Sequence, residues 1–300
     1  MKNFIIPTIF IALITSGHNY ANVIVNSNCS TSTVQITGIT PTSVVGANLV
    51  AAGSSIDSTS CLGYVTSPNN DFANSPDPNI GALGDGLLNE EIFKGYFVPG
   101  DTFLTNDDDS MVDLDGDGDA TDPGWIRLGG AEAAGGNLDF VYDSMNGYDL
   151  AQVIDVSVSF DGTWSLTVDP AAILFATTAL ERPTVFDHLA FVMKGPTVKE
   201  ENEDLFGEWA IYDFNFHDLI DDGYDIKLGD TTYAFTGTWD VDLFDGKDLS
   251  HLSIWAHDPP ADIRVPEPST LAIFALVLMG LLLRESLKNT KRKYFQDFVC

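Results

Sequence analysis

Acidic residues between positions 111 and 125 are spaced as the ligands of a calcium ion would be. Alternate carboxylates followed by glycine match positions 1, 3, 5 and 6 of a calcium-binding loop, in which the glycine permits a sharp turn between ligands. Positions 7 and 9 of that pattern supply a backbone carbonyl and a water-mediated contact. The residues at these six positions are Asp113, Asp115, Asp117, Gly118, Asp119 and Thr121. The pattern predicts a structural calcium ion in the loop 113–124.

The last position of this loop departs from the calcium pattern. Gly124 stands where a bidentate glutamate is usual, so Asp122 or one of residues 107–109 must complete the shell. Helices flanking the loop are not expected, because the surrounding sequence is β-rich. The alternative is a solvated acidic loop, although carboxylates packed this closely repel one another without a cation. The ion would hold a long loop against the domain and take no part in catalysis.

No catalytic motif is visible in the chain. The sequence lacks G-x-S-x-G, H-E-x-x-H and the phosphate-binding G-x-x-x-x-G-K-[ST]. His188, His217, His251 and His257 are dispersed, and a satisfied structural role is favoured for the two in strand candidates, His188 and His251, since no second ligand lies at metal spacing. Carboxylates are too abundant to single out a glycosidase-like pair. We expect a protein that is not an enzyme; the alternative is a carbohydrate-active hydrolase on a β-sandwich scaffold.

The elements that must position these residues are predicted to be strands. Tyr233 to Leu243 alternates apolar and polar side chains with a period of two, which is the clearest strand pattern in the chain. A short helix is expected between Asp169-Pro170 and Arg182-Pro183. Residues 68–86, rich in Asn, Asp, Pro and Gly, are expected to form a long loop. The other strand candidates are 34–39, 43–50, 154–160, 164–168, 185–193 and 209–216. Together they predict an all-β fold, a β-sandwich of jelly-roll type with a loop-rich N-terminal third.

One hairpin has a register that depends on its loop, at Asp161-Gly162. A two-residue turn there would set the apolar face of one strand against the polar face of the other. We therefore expect a three-residue loop, Asp161 to Thr163, or a bulge. The resulting pairs would be Phe160 with Trp164 and Val158 with Leu166.

Both ends of the chain carry apolar segments. Residues 1–21 have one cation, an apolar run and a small, polar end, which is the layout of a secretory signal peptide. A second apolar segment, 270–283, is short for a membrane span and is followed by a cluster of five cations. Because positive residues stay on the cytoplasmic side, residues 22–263 are expected to be exported, and 294–300 to form a cytoplasmic tail. An uncleaved N-terminal anchor is the alternative to the signal peptide.

Charge and cysteine usage agree with export. Residues 22–265 contain 41 acidic and 8 basic residues, a net charge of −33, which repels nucleic acid and attracts divalent cations. Cys29 and Cys61 both lie in the exported part, where a disulfide between them would persist; two separate thiols are the alternative. Cys300 lies beyond the cationic cluster and is expected to stay apart from them.

The run Val265 to Thr270, with its Pro266-Glu267-Pro268 triplet, precedes the apolar segment and the basic cluster. This tripartite arrangement, residues 265–293, resembles the PEP-CTERM sorting signal of exported bacterial proteins. The resemblance implies that a membrane-embedded exosortase recognises the triplet and cleaves nearby. The protein would pass through an inner-membrane intermediate and reach the cell surface or the medium. It would associate there with exopolysaccharide or a biofilm matrix, and polysaccharide is the expected partner beside the exosortase.

The exported body is also similar to proteins of this class. The segment from Thr236 to Pro260, with its G-T-W strand and the L-S-H-L-S run, is similar to their last strands, and Cys61-Leu62-Gly63 to their N-terminal part. These proteins are mostly of unknown molecular function. The resemblance therefore implies where the protein is sent in the cell and leaves its molecular activity open.

Overall fold

A computed structural model describes the following residues: 29–43, 47–66, 78–89, 103–104, 111–114, 116, 118–134, 137–169, 173–182, 185–195, 198–200, 203–205, 208–229, 231–240 and 249–258. All of them lie in the first of two compact units, Met1–Ala261, and the second unit is Asp262–Cys300. The predicted signal peptide, the apolar segment 270–283 and the tail 294–300 lie outside the described residues. Within the described ranges, no helix is both long and apolar enough to span a membrane.

The described part of the chain consists mainly of strands. There are two short helices, α1 (Ile173–Leu180) and α2 (Phe216–Asp221), and single 3-10 turns at Thr31–Thr33, Leu87–Asn89 and Leu150–Gln152. The strands are β1 (Val34–Pro41), β2 (Ile56–Asp57), β3 (Ser60–Thr66), β4 (Trp125–Ala134), β5 (Asn137–Tyr142), β6 (Ser144–Met145), β7 (Tyr148–Asp149), β8 (Ile154–Val158), β9 (Thr163–Val168), β10 (His188–Lys194), β11 (Val198–Glu200), β12 (Glu203–Leu205), β13 (Glu208–Asn215), β14 (Tyr233–Trp239) and β15 (His251–His257).

Two antiparallel sheets form a sandwich, which confirms the predicted all-β architecture. The first sheet has the order β2-β1-β14-β9-β8, and the second has the order β3-β13-β10-β15-β4-β5. The rings of Trp164 on β9 and Phe191 on β10 meet between the sheets, with centroids 4.6 Å apart. Strands β4–β5 and β8–β9 are hairpins within one sheet, whereas β1 pairs with β14 and β3 with β13 across most of the chain. The β1–β14 and β3–β13 pairs join strands that are distant along the chain, as in a jelly roll. The β4–β5 and β8–β9 hairpins join consecutive strands and do not follow that topology.

The second sheet is covered on both faces. Leu189 and Phe191 of β10 belong to the core between the sheets, whereas Ala190 and Val192 belong to a second apolar cluster on the outer face. The sheet also contributes Leu62, Trp125, Ile211 and Trp255 to this outer cluster. Residues from outside the sheet cover them, namely Leu87, Leu88, Phe103, Leu104 and Met111. This double coverage explains why β10, β13 and β15 read as nearly continuous apolar runs, while β14, in the first sheet, alternates as predicted.

The structure corrects the register of the β8–β9 hairpin. The apolar faces do oppose each other, but Val158 pairs with Trp164, and the three-residue loop is 160–162 rather than 161–163. The Asp161 carboxylate accepts the Thr163 N–H at 3.0 Å, and Gly162 has a φ of +83°. This side-chain turn with a left-handed glycine places Phe160 in the loop, so the predicted pairs with Phe160 and between Val158 and Leu166 are wrong.

The prediction of a helix after Pro170 is confirmed, whereas the prediction of a strand at 43–50 is wrong for its described residues. The expected helix is present as Ile173–Leu180. Of the candidate 43–50, the described residues 47–50 form a bend instead of a strand. Asn48 explains this, because its side chain accepts the N–H groups of Ile39 and Val50, each at 3.0 Å, and so holds a turn.

Candidate functional site

The acidic loop is closed at its base by a pair of backbone hydrogen bonds. Val112 and Asp122 form an isolated antiparallel bridge, with N···O distances of 3.2 and 2.8 Å. Within the loop, the Asp113 carboxylate accepts the N–H groups of Gly116 at 2.7 Å and Gly118 at 3.1 Å. Both glycines have positive φ, +78° and +102°. Asp113, the first residue of the calcium pattern, therefore stabilises a backbone turn through its carboxylate, and the two glycines adopt the positive φ angles that the turn requires.

The other predicted calcium ligands occupy different environments. Asp122 is 1% exposed, and its carboxylate accepts the N–H groups of Leu83, at 2.6 Å, and Leu114. Asp119 is exposed, and Asp115 and Asp117 lie outside the described residues. Asp122 thus fastens the loop to the segment that covers the outer face of the second sheet. The calcium ligand set stays a prediction.

A disulfide joins Cys29 and Cys61, the two cysteines that the sequence pairs. Cys29 precedes β1 of the first sheet, and Cys61 is a buried residue of β3 in the second sheet. The bridge therefore connects the two layers of the sandwich near the start of the exported part.

A row of polar and aromatic side chains crosses the outer face of the second sheet. The strand register aligns Asn215, His188, His257 and Trp125 on β13, β10, β15 and β4. The two imidazole rings are in edge contact, with centroids 5.3 Å apart, and Trp125 lies 5.8 Å from His188 and 5.2 Å from His257. The exposed fractions of His188 and His257 are 1% and 0%. We call Asp187, His188, Asp213 and His257 the histidine cluster.

Carboxylates orient both imidazoles of the histidine cluster. Nδ1 of His188 lies 2.9 Å from Asp213 Oδ2, and Nδ1 of His257 lies 2.6 Å from Asp187 Oδ1. The second oxygen of Asp187 lies 3.4 Å from Nε2 of His217, on α2. The Nε2 atoms of His188 and His257 are buried and have no hydrogen-bond partner among the described residues. Each ring is therefore held through one nitrogen and has the other one unused.

The charges within the cluster depend on one another. Burial acts to lower the pKa of His188, but the carboxylates of Asp213 and Asp187 outweigh burial and raise it to about 9. Burial acts to raise the pKa of Asp187, but the charges of His257 and His188 and hydrogen bonds from His217 and His257 hold it well below its usual range. An anionic Asp187 beside imidazoles favours a positive charge at this place, from a proton or from a metal ion.

Sequence reasoning missed this cluster because its members are distant along the chain. Up to 70 positions separate hydrogen-bonded partners, so no local ligand spacing exists. The only local signal is that His188 begins β10 and His257 ends β15, which places them together once the two strands pair antiparallel. His251 lies at the other end of β15. Burial, followed by the charges of Arg127 and Lys194, lowers its pKa to about 4, as expected for a neutral structural histidine.

No open aromatic cleft of the kind used for sugar chains is built by the tryptophans whose side chains are described. Trp125, Trp164, Trp239 and Trp255 are all buried. A cavity of about 110 Å³ lies between the sheets, and its lining is mostly apolar, with Leu166, Phe216 and Phe235 among the residues. These observations indicate that the four tryptophans pack in the protein interior and do not form a sugar-binding surface.

Comparison with known proteins identifies the C-terminal segment. Residues 264–286 match the family model of the PEP-CTERM protein-sorting motif, which includes the predicted triplet Pro266 to Pro268. Comparison with curated proteins and with solved structures finds no match. The motif implies an exosortase as processing partner and export to the cell surface through a membrane-anchored intermediate. The chain therefore carries the PEP-CTERM sorting motif, which supports its assignment as an exosortase substrate and leaves its molecular function open.

Proposed function

We propose that this protein is a non-catalytic surface or extracellular-matrix protein that an exosortase processes, in a setting of exopolysaccharide or biofilm. The observation that carries the proposal is the sorting motif at 264–286. The signal-peptide pattern at 1–21 and the net charge of −33 over residues 22–265 support export. A sandwich of jelly-roll type, supported by the nested β1–β14 and β3–β13 pairs, would serve as the displayed body.

Mass spectrometry of the intact protein tests the processing step. We expect protein from the medium or the cell surface to begin near residue 22 and to end near Pro268. Replacing Glu267 by alanine should retain the full C-terminus, including Cys300, in the membrane fraction. Glu285→Ala, on the far side of the apolar segment, is the matched control and should be processed normally. If the wild-type protein keeps Cys300 and deletion of the exosortase changes nothing, the apolar segment is a simple anchor and the proposal fails.

The acidic loop would bind a structural calcium ion in this exported body. The turn around Asp113, the two positive-φ glycines and the closed base at Val112 and Asp122 support a preformed loop. Asp113, Asp115, Asp117, Asp119 and Asp122 are the proposed ligands. Millimolar calcium is sufficient for extracellular sites of this type, with dissociation constants of about 10⁻⁴ to 10⁻³ M.

Thermal unfolding with calcium or with chelator tests this site. Calcium should raise the melting temperature, since a ligand that binds only the folded state stabilises it by mass action. Asp115→Ala or Asp117→Ala should remove the gain, and Asp139→Ala, at an exposed position of β5, should keep it. Identical melting curves for metal-free wild-type protein with calcium and with chelator would rule the site out.

A further inference from the structure

The cavity of about 110 Å³ between the two sheets is large enough to hold a small molecule. Its lining includes Leu166 and Phe235 of the first sheet and Leu128 and Leu189 of the second. Protein interiors contain few voids larger than a water molecule, and one water needs only about 10–15 Å³. We propose that this cavity binds a neutral hydrocarbon group, such as an aromatic ring or the end of a short alkyl chain.

The walls of the cavity are formed by well-packed elements. Strands of both sheets contribute, and the Phe216 and Phe235 rings stack on each other, with centroids 5.5 Å apart and planes 10° apart. Helix α1 contributes Ile173 and Ala176, and Ala176 is 1% exposed. The cavity is therefore a built-in part of the fold, as ligand sites in proteins usually are.

Size and lining together indicate the class of ligand. An engineered protein cavity of about 150 Å³, lined by leucine, isoleucine and phenylalanine, stays dry and binds benzene or xenon. The present cavity is of similar size and is lined mainly by the same residue types, Ile154, Leu166, Leu189, Ile226 and Phe235 among them. We therefore expect it to hold a group of about the size of one benzene ring.

The few polar side chains of the lining are engaged elsewhere. The Tyr233 hydroxyl accepts the N–H of Lys227 at 2.6 Å, and the Thr232 hydroxyl is hydrogen-bonded to that of Thr42. His188 also borders the cavity, but its ring contacts Trp125 and His257 on the outer face of the second sheet, so its charge is directed away. A ligand therefore gains little from polar groups of its own.

Charge excludes an anionic ligand. Among the described residues, the lining contains no Lys or Arg that could pair with a carboxylate or a phosphate. A buried charge without a partner is costly, and the net charge of −33 over residues 22–265 repels anions as they approach. The ligand should accordingly be neutral.

Partly exposed apolar residues indicate where a ligand would enter. Ile173, Val185 and Leu228 line the cavity and are half-buried, unlike the deeper lining residues. Next to Ile173 on α1, Leu174 and Phe175 are 73% and 50% exposed. The cavity thus reaches the surface beside a helix that is itself apolar on its exposed side, where a hydrocarbon would be retained.

Thermal unfolding with benzene tests the proposal. The full-length chain is held in nanodiscs, because alkyl detergents would compete for the cavity. Benzene at about five times its dissociation constant should raise the melting temperature of the wild type by about 2–4 °C. Ala176→Leu should abolish the rise by filling the cavity, and Thr178→Leu, at an exposed position of the same helix, is the matched control and should keep it.

Two further measurements use the wild type alone and cover the case in which Ala176→Leu fails to fold. Nuclear Overhauser effects from benzene to the methyl groups of Ile154, Leu166 and Leu189 should locate the ligand in the cavity. Benzoate, the anion built on the same ring, should leave the melting temperature unchanged, and an equal rise with benzoate would refute the neutral ligand class. A wild type whose melting curve does not respond to benzene, or a rise that persists in folded Ala176→Leu, would overturn the proposal. None of these outcomes depends on exosortase processing, so the two proposals fail independently.

Discussion

Replacing Cys29 and Cys61 together by alanine should lower the free energy of unfolding by about 4 kcal/mol. The bridge closes a loop with a sequence separation of 32 residues. Loop-closure entropy for a chain of this length is about 12 cal/mol/K, which corresponds to about 3.7 kcal/mol at 25 °C. Cys61 is also 5% exposed and packs in the core, so the lost sulfur adds a smaller packing cost.

Guanidinium unfolding followed by tryptophan fluorescence measures this change. The two single variants provide the internal control, because either one breaks the same cross-link and should lose nearly as much stability as the double variant. Reduction of the wild type with dithiothreitol should shift the midpoint in the same direction. A loss below about 1 kcal/mol in the double variant, or no effect of reduction on the wild type, would refute the argument from chain entropy.

Three further predictions concern the buried groups of the sandwich. His251, with its pKa lowered to about 4, stays neutral in the folded state while the unfolded state takes up a proton below about pH 6.5. Stability should therefore fall by up to about 3 kcal/mol between pH 6.5 and 4 relative to His251→Gln, measured by urea unfolding; parallel pH profiles would contradict this. Arg127→Met should cost about 3–5 kcal/mol, because it removes the guanidinium that lies 2.6 Å from the buried Asp143 carboxylate. Adding Asp143→Leu should restore part of this loss in the same assay, and a double variant no more stable than the single one would count against the pairing. Gly237→Ala should lower the melting temperature, since the new carbon would lie 2.2 Å from both the Gln35 carbonyl oxygen and the Trp164 ring, and an unchanged melting curve would contradict this close packing.

Several features follow from the sequence because they are local. The period-two alternation of β14 requires only that one face of a strand be buried, and the proline and charge pattern around α1 limits a helix without any distant contact. The sorting motif at 264–286 is a linear signal, made of the Pro-Glu-Pro triplet, the apolar segment and the basic cluster. It could therefore be identified without knowledge of the tertiary structure.

Tertiary structure decided what depends on distant partners. The β8–β9 register was set by the Asp161 side chain and the left-handed Gly162, a choice between loops that hydrophobic alternation alone does not distinguish. The outer cover of the second sheet arises because apolar residues between positions 87 and 111 pack on it, a long-range contact that the sequence pattern does not show. His188 and His257 become neighbours only through the antiparallel register of β10 and β15, so the sequence shows two separate histidines where the fold makes a cluster.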